Sequence, residues 1–112
     1  MIRMRRLRAS SNLRSLVRET VVTKDDLVYP VFIKEGKDIK EPVASMPGIY
    51  QYSADRFNEE LDRVVNAGIK AILVFGIPSH KDEFGSEAYN DNGVTQNIIK
   101  KNKKKVPDII VI

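Results

Sequence analysis

Few groups in this sequence are able to do chemistry. Cysteine is absent and histidine occurs once, at His80. The absence of cysteine removes disulfides and thiolate metal sites from this stretch. His80 stands close to Asp82 and Glu83, an arrangement that suggests a metal. Zinc takes three or four protein ligands, however, and the missing ones would have to be further loop carboxylates. A surface loop explains these residues more simply. Asp82, Glu83 and Glu87 are also conceivable acid/base groups. Their segment is polar throughout and offers no partner that would perturb them, so a solvated acidic loop is the expectation.

Lysine is the other candidate. A lysine that forms a Schiff base needs a lowered pKa, from desolvation or from a neighbouring cation. Lys34 closes an apolar run and has Glu35 beside it, while Lys37 and Lys40 lie in a charged loop. Nothing in their surroundings predicts burial, so they read as solvated. Lys100, Lys101, Lys103, Lys104 and Lys105 cover too many consecutive positions to line one pocket and read as a wet helix face and tail. Gly76 and Gly85 belong to no GxGxxG or P-loop phosphate pattern.

The elements that must position these groups alternate in type. Residues 27–33 form a near-continuous apolar run rich in β-branched and aromatic side chains, the pattern of a strand buried on both faces. Pro30 cannot donate to a ladder, which predicts a place near the strand start or at a bulge. Residues 34–41 are a charged loop, and residues 42–52 read as a turn with a small hairpin. Ser53 is suited to cap a helix over 54–67, with Asp55 in its first turn. Phe57, Leu61, Val64 and Val65 share one face of that helix, and Gly68 stops it. A second buried strand is expected over 70–75, closed by Gly76 and Pro78. Residues 79–92 read as a loop, and 94–105 as a weaker helix with Val94, Ile98 and Asn102 on one side. A third strand covers 109–112. Strand, helix, strand, helix, strand predicts an α/β fold with parallel pairing and right-handed crossovers.

The 112 residues are 42% hydrophobic and 30% charged, a globular composition, and no apolar run is long enough to span a bilayer. The basic start lacks the apolar stretch of a secretory signal, so a cytoplasmic location is expected. The net charge of +4 is unevenly placed. Arg3, Arg5, Arg6, Arg8, Arg14 and Arg18 crowd a segment without a core pattern, so residues 1–23 read as an arm and 24–112 as the folded part. Leu7, Leu13, Leu16 and Val17 would line one side of a short helix in that arm. An arm of this kind needs something to lie on, such as a neighbouring subunit. Basic ends also suit nucleic acid. No aromatic residue interleaves with the arginines and no nucleic-acid motif is present, so that reading is the alternative.

Several segments together resemble one family. They are Arg5-Arg6-Leu7-Arg8 with Leu16-Val17-Arg18-Glu19-Thr20, then Asp26 to Phe32, then Ser45-Met46-Pro47-Gly48-Ile49-Tyr50. Phe75-Gly76-Ile77-Pro78 follows with Lys81-Asp82, then Gly85-Ser86-Glu87-Ala88-Tyr89-Asn90 and Pro107 to Ile112. In this order and spacing they are similar to the N-terminal part of porphobilinogen synthases (5-aminolevulinate dehydratases). The resemblance implies a (β/α)8 TIM barrel preceded by an arm, of which this chain would hold the arm and the first strands and helices. It implies a hydro-lyase of tetrapyrrole and haem biosynthesis that condenses two 5-aminolevulinate molecules to porphobilinogen, with loss of two waters.

It further implies two Schiff-base lysines on strands beyond Ile112, and zinc or magnesium in the full-length protein held by residues outside this chain. An arm wrapped around a neighbour in a homo-octamer, with Arg5, Arg6, Leu7, Arg8, Leu16 and Arg18 as its contact residues, completes what is implied. A barrel needs eight strands and about 250 residues, so the chain reads as a fragment that is inactive alone, an assembly-only role, docking on full-length barrels through the arm, being a further alternative. Phe75, at the C-terminal end of the second strand, is the one candidate for contact with substrate, a core aromatic under the barrel mouth being the alternative.

Overall fold

The computed structural model describes residues 4–112; Arg3, counted above among the arm arginines, lies outside them. Five strands form one sheet in the order β2-β3-β1-β4-β5. They are β1 (Val28–Lys34), β2 (Lys40–Pro42), β3 (Tyr50–Tyr52), β4 (Ala71–Ile77) and β5 (Ile110–Val111). Strands β1, β4 and β5 are parallel, joined by crossovers through α2 (Phe57–Asn66) and α3 (Val94–Lys105). β2 and β3 form the hairpin expected from the turn residues, except that its first strand takes in Lys40 and Glu41 of the expected charged loop, which pair with Tyr52 and Gln51; β3 then lies parallel to β1. β1 is unbroken and pairs with β4 along its whole length, whereas β3 pairs only with Phe32 and Ile33. Pro30 therefore needs no bulge: beside it, β1 has a partner strand on one flank only.

Strand alternation divides the sheet into two unlike faces. Val31, Ile33, Ile72 and Val74 point to the helices and are buried with Phe57, Leu61 and Val64 of α2 and Ile98 of α3. Val28, Pro30 and Phe75 point the other way and are exposed, as are Ile110 and Ile112. The expectation of strands buried on both faces is thus corrected. Among the described residues, helices cover one face only.

The inward face of α2 also departs from its apolar spacing. Val65 is exposed, and the carboxylate of Glu60 is buried in its place. Glu60 accepts from the Tyr29 hydroxyl at 2.7 Å, the Tyr52 hydroxyl at 3.2 Å and the Arg63 guanidinium at 2.9 Å. One carboxylate thereby joins β1, β3 and α2, and its lone pairs are satisfied as burial of a charge requires. Burial, followed by the negative charge of Glu60, pushes the Tyr52 hydroxyl up to about 12. Ser53 does not cap α2 with its side chain. It is fully buried, and its hydroxyl accepts the Ile39 N–H at 2.9 Å. Gly68 has φ +84°, the left-handed conformation that ends a helix at low cost in glycine.

The segment before β1 is different in kind. α1 (Ser11–Leu16) is capped by the Ser10 hydroxyl and buries none of its residues. Leu7, Leu16, Val21 and Val22 are exposed. The radius of gyration is 19.9 Å, against about 13 Å for a compact chain of ~100 residues, and the long axis reaches 61 Å. The base of this segment is tied down. Lys24 Nζ donates to the Ala67 carbonyl at 2.8 Å, and Asp25 pairs with Lys70 at 2.6 Å.

Candidate functional site at the strand ends

The C-terminal ends of β1 and β4 lie side by side, in register from Val28 opposite Ala71 to Lys34 opposite Ile77. Phe32 faces Phe75 in that register, and both point to the face without helices. Their rings stack with centroids 5.5 Å apart at 21°. Phe75 is 46% exposed, so the pair forms an open aromatic shelf beside the strand ends. Phe32 was not singled out by the sequence reading. The signal was available, since each phenylalanine precedes its strand's end by two residues.

Two latches define the loops above this shelf. Lys34, on the same face as Phe32, pairs with Glu41 of β2 at 2.8 Å. The adjacent Glu35 turns the other way. Its N–H donates to the Ile77 carbonyl at 3.1 Å, and its carboxylate accepts from the Ser79 N–H at 2.9 Å and from the Ser79 hydroxyl. The Ser79 hydroxyl and then its N–H hold the Glu35 carboxyl below the usual carboxylate range. Spacing in the sequence could not reveal this pair, which is 44 residues apart.

The loop over 79–92 is more ordered than a plain loop. It contains a 3-10 turn at Ser86–Tyr89. Asp82 accepts the Ser86 N–H at 2.9 Å, and the Ser86 side chain and N–H hold its carboxyl below the usual range. Asp82 is therefore a turn residue and is occupied as such. His80 and Glu83 are exposed, and Glu87 accepts from the Asn90 amide at 3.3 Å. Among the described residues no group of three or more His, Asp or Glu side chains is placed to hold a metal ion. The resemblance places the metal of the full-length protein on residues outside this chain.

Two hollows flank the loop. One of about 430 Å³ lies between Gly76, Pro78, Ser86, Glu87 and Thr95. The other, of about 250 Å³, lies between Lys34, Glu35, Ser79, Asn90 and Asn97. The start of α3 reaches this region because Gly76 carries no side chain: a Cβ there would sit 2.1 Å from Thr95 Oγ1. Gly76 therefore sets how closely α3 packs on the end of β4.

Lys100, Lys103, Lys104 and Lys105 are exposed as expected of a wet helix face, and Lys101 is half-buried, yet most of their ammonium groups are engaged within the chain. Lys101 donates to the Ala54 carbonyl at 2.6 Å, Lys103 to Ile109 at 2.6 Å and Lys100 to Asp91 at 3.0 Å. Lys105 donates to the Asn58 carbonyl and pairs with Asp62 at 2.7 Å. These ammonium groups staple α3 to α2, to the loop and to β5. In the arm, Arg5, Arg6, Leu7, Arg8, Leu16 and Arg18 are all exposed.

Parallel strands joined by helices on one face, with aromatic side chains and tied loops at the C-terminal strand ends, define an α/β chain of the TIM-barrel class. The comparisons make the class particular. The chain belongs to the delta-aminolevulinic acid dehydratase family, whose model matches residues 1–112. It is 53% identical over 110 residues to the delta-aminolevulinic acid dehydratase of Methanothermus sociabilis, covering 98% of this chain and 34% of that one. The Halalkalibacterium halodurans enzyme is 46% identical over the same length, with the same coverage. The crystal structure of the Toxoplasma gondii ME49 enzyme, bound to its reaction product porphobilinogen, superposes with a TM-score of 0.83 at 29% identity. That match covers 99% of this chain and 32% of the other. The chain thus spans about a third of the length of these relatives.

No helix among the described residues is long and apolar enough to cross a membrane.

Proposed function

We propose that this chain supplies the arm and the first strands of a porphobilinogen synthase subunit, a hydro-lyase condensing two 5-aminolevulinate molecules with loss of two waters. The observation that carries the reading is the family match over all 112 residues. Its support in the structure is the Phe32–Phe75 shelf, at the strand ends where such barrels build their sites. Phe75 offers an apolar surface to the substrate's short carbon chain. The lysines that form Schiff bases with the substrate ketones, and the zinc or magnesium of the family, belong to parts of the fold outside these residues. Lys34 does not substitute, because its ammonium is engaged in an ion pair with Glu41 at 2.8 Å.

The arm reads as a subunit contact in a homo-octamer of the cytoplasm. Its exposed leucines and arginines, through Arg5, Arg6, Leu7, Arg8, Leu16 and Arg18, suit the surface of a neighbouring barrel. The nucleic-acid reading is not favoured: four of the five clustered lysines are engaged with this chain's own backbone or acids.

Porphobilinogen formation from 5-aminolevulinate tests the proposal. The 112-residue chain is expected to make none. The longest polypeptide isolated from the native source that contains this sequence is expected to make it readily. A full-barrel polypeptide that leaves 5-aminolevulinate unchanged, with zinc or with magnesium, would overturn the reading.

A further inference from the structure

The loop over 79–92 walls both hollows at the strand ends, and its first residue is held by one side chain from just beyond β1. Glu35 follows the last residue of β1. Its backbone N–H binds the Ile77 carbonyl, and its carboxylate takes both hydrogens that Ser79 has to offer. These bonds grip β4 just beyond Phe75: Ile77 is two residues on and Ser79 four. Behind the same stretch, Gly76 is pressed against Thr95 of α3. The end of β4 is therefore clamped from two directions, by α3 from behind and by Glu35 from the side. Lys34, next to Glu35, anchors the hairpin through Glu41. The end of β1 is thus a node from which the segments on both of its flanks are held.

From this geometry we infer that Glu35 is a positioning residue of the strand-end site. By accepting from Ser79 it fixes the root of loop 79–92 and holds Phe75 stacked on Phe32. It touches no substrate and acts through Ser79. The inference rests on the reading of the strand ends as a substrate site. Its physical core, the latch itself, stands apart from that reading. A carboxylate is suited to the task because it accepts two hydrogen bonds on one oxygen without contributing a proton of its own, and charge-assisted bonds are roughly twice as strong as neutral ones.

The test has two arms. In the 112-residue chain, amide exchange at Ser79 is followed by NMR for wild type, Glu35→Ala and Glu35→Gln. The alanine variant is expected to exchange at least about tenfold faster at Ser79 with little change at the Val31 and Ile72 amides, and the glutamine variant, which keeps an acceptor, to lie between. Exchange at Ser79 unchanged by Glu35→Ala overturns the latch. In the complete polypeptide, Glu35→Ala is expected to raise KM for 5-aminolevulinate roughly tenfold with kcat within about twofold, with most of the loss recovered by Glu35→Gln. Unchanged KM, or an equal fall in kcat and thermal stability that glutamine fails to rescue, overturns the positioning role. If the wild-type polypeptide makes no porphobilinogen, it is the functional reading that fails, and the exchange arm still decides the latch.

Discussion

The two faces of the sheet differ although the same strands build both. Toward the helices, Val31, Ile33, Ile72 and Val74 meet Phe57, Leu61, Val64 and Ile98, and a buried carboxylate is fully bonded. On the opposite face, Phe32 stacks on Phe75, and Val28, Ile110 and Ile112 are exposed. The difference teaches where stability and chemistry divide. The helix side carries the packed core of these residues. The open side carries the apolar surface that a ligand or further strands would meet.

The comparison is broken most directly by cavities. Leu61→Ala on the helix side is expected to cost about 3–5 kcal/mol of unfolding free energy, read by urea denaturation. Phe75→Ala on the open side is expected to cost less than about 1 kcal/mol in this chain, because its ring is already half in solvent. Equal losses would mean that the two faces are not energetically distinct.

Gly76→Ala comes next, at about 1–3 kcal/mol, since its Cβ would collide with Thr95 Oγ1. The double variant Gly76→Ala, Thr95→Ala is expected to recover most of that loss, because the next atoms lie at 3.4 Å. Failure to recover would place the strain elsewhere than in the α3 contact. Glu60→Ala is expected to cost a comparable ~1–3 kcal/mol by leaving the Tyr29 and Tyr52 hydroxyls unpaired, with Glu60→Gln milder.

The smallest effects are those of pH. Tyr52 is raised to about 12, so the neutral phenol's contribution is fully present below the ordinary tyrosine value near ~10 and is lost as pH rises through about 12. Glu35 and Asp82 are lowered, so their contribution is present above the ordinary carboxylate range and is lost as pH falls through their depressed values. A stability profile that is flat at the acid end in wild type, and unaltered by Glu35→Gln, would remove the latch from the list of titrating contacts.

Much of this was legible along the chain. Apolar runs marked β1 and β4, the spacing of Phe57, Leu61 and Val64 marked α2, and the Pro47-Gly48 turn marked the hairpin, because each is a local pattern of period and turn chemistry. Glu60 was not legible. A carboxylate at a buried helix position is indistinguishable in sequence from a solvated one until two tyrosines from other strands arrive beside it. Val65 has the complementary history: its spacing fits the inward face, yet a narrow contact with the sheet leaves it outside. The α3 lysines are exposed as their run suggests, but the carbonyls that accept from Lys100, Lys101 and Lys103 are not visible in the sequence. Phe75 was found from its place at a strand end, and its partner Phe32 only from register.

By itself the sequence determined the alternation of strands and helices, the basic arm and the family, because these reside in local periodicity and in an ordered series of short segments. Only the tertiary structure decided which side of the sheet is covered, that Glu35 meets Ser79, and that Gly76 exists to admit Thr95. Those contacts join residues 19 to 44 positions apart. Chain periodicity carries no information about such distances, and the packing of helices onto the sheet creates them.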